Sequence, residues 1–271
     1  MPVVEKRVES WTELIDELFQ ESWRPELERF RSNYAFRGIP DCRSRLETGL
    51  VRLGGDYAKV EGHMVRNFTK YAYAETGAKE SFWHWLALAA HHGLPTRLLD
   101  WSYSPFIGLH FATATLDQTD TDMAVWCVNF VDSNKTLSPS LRETMIDEGS
   151  QVFSTEMLDR AASDLKAFDA LSSEPFLIFI EPPSLDQRIV NQFALFSLMS
   201  SPDEMLDDWL DGRPEEHKKV IIPARLHWEV RDKLDQANIN ERVLFPGLDG
   251  LCTWLKRHYS PGPRLKTGPR S

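Results

Sequence analysis

The residues best equipped for chemistry in this chain are gathered in one run, His91-His-Gly-Leu-Pro-Thr-Arg-Leu-Leu-Asp-Trp-Ser102. It brings together two imidazoles (His91, His92), the Thr96 hydroxyl, the Arg97 guanidinium, the Asp100 carboxylate and the Ser102 hydroxyl. A guanidinium is a planar fork of donors that suits phosphate or carboxylate. Hydroxyls and amides suit ribose and amide edges. Two more polar residues fall at strand positions, Arg37 in a first strand and Gln192 at the entrance to a late one. This inventory fits a nucleotide or dinucleotide better than the substrate of a protease or a metal hydrolase. Other chemistries lack their signatures: there is no Gly-x-Ser-x-Gly elbow, no Walker-type phosphate loop, no Gly-x-Gly-x-x-Gly fingerprint and no His-Glu-x-x-His pair. On a helix His91 and His92 diverge by about 100° and do not chelate one ion together. No metal is expected. Each residue also has a plain structural reading: helix-end histidines favoured by the macrodipole, and for Asp100 a buried salt bridge to Arg97 or Arg37.

Two apolar helices must position this run. The first spans the aromatic stretch from Ser81; Gly93 suits the left-handed residue beyond a helix end, and Pro95 forbids continuation. Thr96–Ser102 is extended, and Ser104-Pro105 opens the second helix. Upstream, Ser10 and Glu13 form a capping box ahead of Trp11, Leu14, Ile15, Leu18 and Phe19. Tyr34–Gly38 reads as a strand with Tyr34 and Phe36 on one face, so Arg37 points to the opposite layer, a cleft or solvent. Further strands are expected at Met123–Phe130, Pro175–Ile180, Phe193–Met199 and Val220–Pro223. A long helix carries a buried stripe of Tyr57, Val60, Met64, Phe68 and Tyr71, and other helices follow Ser138, Thr155, Ser184, Ala224 and Leu248. The expected fold is one α+β domain over residues 1–259, a small mixed sheet flanked by helices with an N-terminal helical apron. Residues 260–271 read as a disordered basic tail.

Composition narrows the function classes. A net charge of -10 argues against a surface that coats nucleic acid generically, while allowing a local basic groove. Cys42, Cys127 and Cys252 are scattered, which points to reduced thiols in a cytosol and no zinc framework. Met1-Pro-Val-Val-Glu-Lys6 is not a signal peptide, and no apolar run approaches the roughly 18 residues of a membrane span. A soluble, cytoplasmic protein with no membrane partner is expected.

Phe36-Arg37-Gly38, then Leu46, Leu50 and Arg52, then the His91–Ser102 run with Pro105 and Phe111-Ala112, resembles the FRG domain family. The resemblance continues through Arg188, Gln192 and Phe196 to Leu244-Phe-Pro-Gly-Leu-Asp-Gly-Leu251, and departs from the family pattern at Ile39 and Phe193-Ala194. The order aromatic-Arg-Gly, Ser-ended strand, Ala/Phe-rich helix and late polar strand residue is also similar, more weakly, to the ADP-ribosyltransferase layout. That similarity implies NAD as the substrate, with Arg37 and Ser102 in the binding roles and Gln192 nearest the third; Gly38, Thr96 and Arg97 are the further candidate binding residues, and Asp100, Gln192 and His91 the candidate catalytic ones. Gln192 stands where that layout has a glutamate, so Asp100 or Glu181 is left to supply negative charge. The implied function is NAD-consuming ADP-ribosyl transfer to a protein or nucleic acid acceptor, as in bacterial toxins and anti-phage effectors, with room for a neutralising partner protein. Two readings compete with it: a non-catalytic nucleotide- or nucleic-acid-binding module, and a metal-free hydrolase or nuclease using His91 or His92 with Asp100.

Overall fold

Short runs of alternating apolar residues build one mixed sheet in the computed structural model, which describes residues 5–76, 81–115 and 120–261. In chain order the strands are β1 (Glu5–Arg7), β2 (Trp23–Arg24), β3 (Arg29–Phe30), β4 (Tyr34–Ile39), β5 (Leu98–Ser102), β6 (Met123–Asn129), β7 (Leu177–Ile180), β8 (Ala194–Met199) and β9 (His217–Ile222). β2 and β3 form a separate hairpin; the rest pair in the order β1-β9-β6-β4-β5-β8-β7. Pairing is antiparallel except between β1 and β9. Helices α1 (Trp11–Phe19), α2 (Gly49–Leu53), α3 (Tyr57–Thr76), α4 (Phe82–His91) and α5 (Pro105–Ala112) belong to the first half of the chain. No described helix is long and apolar enough to cross a membrane.

Period-two alternation assigns the two faces of the sheet. One face carries Ala35, Ile39, Leu99, Trp101, Trp126 and Leu195. The other carries Phe36, Val125, Cys127 and Val220 beneath α1 and α5, and continues through Leu98, Phe196 and Leu198 beneath α4. β4 and β5 meet through a single register pair, Phe36 opposite Ser102. Beyond it they separate, so the sheet consists of two halves, β1-β9-β6-β4 and β5-β8-β7, joined at that seam.

Several expectations are corrected. The sheet is larger than its apolar runs suggest, because β1 is an exposed polar triplet defined only by its pairing with β9. β9 starts at His217, since Lys218 is buried by reaching Glu17 and Gln20, and Lys219 by reaching Glu5. In the capping box Ser10 accepts from the Glu13 amide, but Glu13 returns to the amide of Glu9. On α3 the buried positions are Glu61 and Val65, whereas Val60 and Tyr71 are exposed. The helix expected from Thr155 breaks into Thr155–Ala161 and Leu165–Asp169, the second capped by Asp164. The one expected after Ser184 runs from Gln187 to Asn191 with Asp186 as its cap. Most of the tail, from residue 262, lies outside the described residues.

Two close contacts hold the frame. A Cβ at Gly38 would lie 1.9 Å from the Gly108 carbonyl oxygen and 2.3 Å from the Ala112 nitrogen, so α5 rests on β4 backbone to backbone. At Gly108 a Cβ would meet Phe36 Cβ at 3.2 Å and Val125 Cγ1 at 3.3 Å. Behind α5, a buried ion network joins three C-terminal helices. Arg231 donates to Glu241, to the His110 carbonyl and to the Thr113 hydroxyl. Arg257 donates to both oxygens of Glu241 and of Asp235. Burial alone would raise the Glu241 carboxyl, but the hydrogen bonds from Arg257 and the charge of Arg231 bring it down to about 2. Burial, reinforced by Arg231, pushes His110 down to about 3. The imidazole is therefore neutral, and its Nδ1 accepts from Arg231 at 3.1 Å. His227 is brought to about 4, first by burial and then by the same arginine.

Gly38→Ala is expected to cost at least about 3 kcal/mol of unfolding free energy in urea, because backbone atoms have to move. Gly108→Ala should cost about 1 kcal/mol, since its neighbours are side-chain atoms that yield by tenths of an ångström; equal costs would contradict the backbone contact. His110 titrates near 6.5 unfolded and about 3 folded, so the unfolded chain binds the extra proton between those values and stability falls as pH drops. Between about pH 6 and about pH 4.5, wild-type stability should fall more steeply than that of His110→Asn, by about 1 kcal/mol per pH unit. Denaturation at several pH values reads the difference.

Candidate functional site

Two turns face each other across β5 and β8. α4 ends at His91, with His92 at its C-cap, and Gly93 turns the chain at φ 85°. The Thr96 carbonyl accepts from the Leu50 amide and its hydroxyl from the Leu98 amide, which pins the start of β5. On the other side, the helix Gln187–Asn191 ends with Gln192 as its C-cap, and Phe193 at φ 46° turns the chain into β8. Between the turns lies an open cleft of about 470 Å³, lined by His91, His92, Asp100, Asp186, Arg188 and Gln192 over Ala194 and Phe196.

The polar groups of the cleft differ in how firmly they are held. His91 Nε2 is 2.7 Å from Asp186 Oδ2, which orients the imidazole. Burial pushes the Asp186 carboxyl up, but the Ile189 amide and His91 outweigh it and hold the group below its usual range. Gln192 donates to the Leu244 carbonyl at 2.9 Å, and neighbouring Asn191 donates to the Val243 carbonyl at 2.7 Å. The ring of Phe245 lies 5.1 Å from the Arg188 guanidinium. Asp100, opposite Phe196 on β8, is exposed, and among the described residues nothing hydrogen-bonds its carboxylate. The cleft thus offers one fixed imidazole, one exposed imidazole, one exposed carboxylate and one guanidinium.

Of the residues singled out in the sequence, Asp100, Gln192 and His91 come together here, whereas Arg37, Gly38, Thr96, Arg97 and Ser102 do not line the cleft. Ser102 lies beneath it, its hydroxyl occupied in donating to the Gln192 carbonyl at 2.7 Å and accepting from the Ser104 amide. Arg37 belongs to the opposite face, in register with Trp126. Its Nη1 donates across the seam to the Asp100 carbonyl, and its Nε is buried without a partner. Burial lowers the basicity of that guanidinium, with Asp100 opposing the effect. Gly38 makes room for α5. Thr96 is consumed by the turn. The bridge considered between Arg97 and Asp100 does not form: Arg97 turns to Glu61 and Asp169, at 2.7 Å each. Glu181, the other acid considered, accepts from the Tyr103 hydroxyl at 2.7 Å and lies outside the lining.

Sequence reasoning missed Asp186 as the partner of His91. A usable signal was present, because Asp186-Gln-Arg-Ile189 is itself an N-cap pattern in which Asp186 accepts from the Ile189 amide. Among the described residues no group of three or more His, Cys, Asp or Glu side chains is placed to hold a metal ion.

No curated protein and no solved structure matches the chain. Residues 32–121 match the FRG domain model. The matched segment contains β4, the seam, α4, β5 and α5, together with His91, His92 and Asp100; the facing wall from Asp186 to Gln192 lies beyond it. In the matched segment the naming tripeptide divides its labour: Phe36 packs in the core, Arg37 crosses the seam and Gly38 admits the helix. Over residues 32–121 the chain is thus similar to the FRG domain family.

Proposed function

We propose that the chain consumes NAD in the cleft between His91 and Gln192 and transfers ADP-ribose to a protein or nucleic acid acceptor. The observation that carries this reading is the convergence of His91, His92, Asp100, Arg188 and Gln192 from separate segments into one cleft of about 470 Å³. Polar groups converging in a concavity of that size mark a small-molecule site.

The reaction asks little covalent chemistry of the protein. The bond between nicotinamide and ribose C1′ breaks, its electron pair leaves with the ring, and neutral nicotinamide departs from a positively charged sugar. Asp100, exposed and with no hydrogen-bond partner among the described residues, is the group to stabilise that charge, as carboxylates do in glycosidases. The acceptor's nucleophile then bonds to C1′ and gives up a proton, for which the exposed His92 imidazole is available. Arg188 is the cation for the phosphates in this reading; Arg37, to which the ADP-ribosyltransferase resemblance gives that role, lies on the other face of the sheet. Gln192 is held by Leu244 and positions one wall. An enzyme that drains NAD harms its own cell unless restrained, so a neutralising partner and a toxin or defence role belong to the same reading.

Asp100→Asn should lower nicotinamide release from NAD at least about a hundredfold, the worth of one electrostatic contact of about 3 kcal/mol, with the melting temperature unchanged. Normal turnover in that variant would sink the assignment. Arg188→Ala should raise KM for NAD by about tenfold or more, as expected for a charge-assisted contact. NAD binding without release of nicotinamide by the wild type would leave the cleft a nucleotide-sensing module instead.

A further inference from the structure

We propose that an apolar groove beside the cleft is the second half of the same ligand site and takes an aromatic ring of the nucleotide. This rests on the nucleotide reading of the cleft and adds where the ring lies. Spacing along α3 predicts Met64, Phe68 and Tyr71 as a buried stripe, yet the helix turns Glu61 and Val65 inward and leaves Tyr71 74% exposed. Met64, Phe68 and Tyr71 then line, with Leu88, Leu94 and His92, an open groove of about 610 Å³ between α3 and the end of α4. Phe68 packs edge-on against Trp85, with ring centroids 6.3 Å apart, so the groove has a fixed aromatic wall.

Continuity identifies the occupant. His92 lines both the groove and the polar cleft. Its ring centroid is 5.3 Å from that of His91, the imidazole fixed by Asp186. A ligand whose ribose and phosphates lie against Asp100 and Arg188 has the groove beside it, across His92. Apart from Asn67, His92 and the Tyr71 hydroxyl the lining is apolar, so a phosphate placed there would lose hydration for few partners. A flat ring loses little and stacks on aromatic side chains whatever its substituents. The ligand class is accordingly a nucleotide with its polar part in the cleft and a nicotinamide or nucleobase ring in the groove.

Methyl NMR of the full chain separates the two halves, with Met64, Leu88 and Leu94 reporting the groove and Ile189 reporting the cleft. NAD is expected to shift both sets, whereas ribose 5-phosphate, which has no ring, shifts Ile189 alone. Tyr71→Ser, at an exposed position, should weaken NAD binding about tenfold and leave ribose 5-phosphate binding unchanged. If NAD shifts Ile189 but not the groove methyls, or if ribose 5-phosphate shifts both sets, the groove is not the ring site and the nucleotide reading of the cleft stands. If NAD shifts neither set, the nucleotide reading fails and the assigned occupant goes with it.

Discussion

Helix α5 lies so close to β4 that position 38 has no room for a side chain, and the position of the cleft can be followed outward from that contact. α5 presents His110 and Thr113 to Arg231. Arg231 and Arg257 fix Glu241, the first residue of the short helix Glu241–Leu244. The Val243 and Leu244 carbonyls then hold Asn191 and Gln192 at the cleft wall. Each link is a directional hydrogen bond or a hard-sphere contact, so little of the geometry is left to loose packing.

The charges in this chain of contacts are costly to bury. A lone Arg231 would lose its hydration, and Glu241 likewise; only their mutual satisfaction, with Arg257 and Asp235, makes the arrangement affordable. The neutral His110 is part of the bargain, because a second cation against Arg231 would repel it. Such a network adds modest net stability but leaves few alternative packings, which suits a wall that has to hold an amide in place.

Local physics was the legible part of the sequence. Capping residues, the Gly93-Pro95 break and the apolar strand runs located most elements, and three of the eight candidate residues lie in one cleft. What was hidden depends on partners distant in the chain. Glu5-Lys6-Arg7 has no apolar pattern and is a strand only because β9 lies beside it. The alternation of β4 left Arg37 three destinations, and choosing among them required knowing that β5 parts from β4 after Ser102. Arg97 and Asp100 are three residues apart, yet they point to different surroundings because Glu61 on α3 captures the arginine. The α3 stripe misled in part because Glu61, paired with buried Arg97, and Val65 face inward while Val60 and Tyr71 face out.

The parallel pairing of β1 with β9 places Glu5 opposite Lys219. During synthesis the segment that becomes β1 emerges before β9 and cannot find its place until more than two hundred further residues have left the ribosome. Until then β1 is a charged, solvated triplet with little tendency to pair wrongly, and closing so long a loop is a late and slow event. The polar composition that hid this strand from pattern reading is what keeps it harmless while it waits.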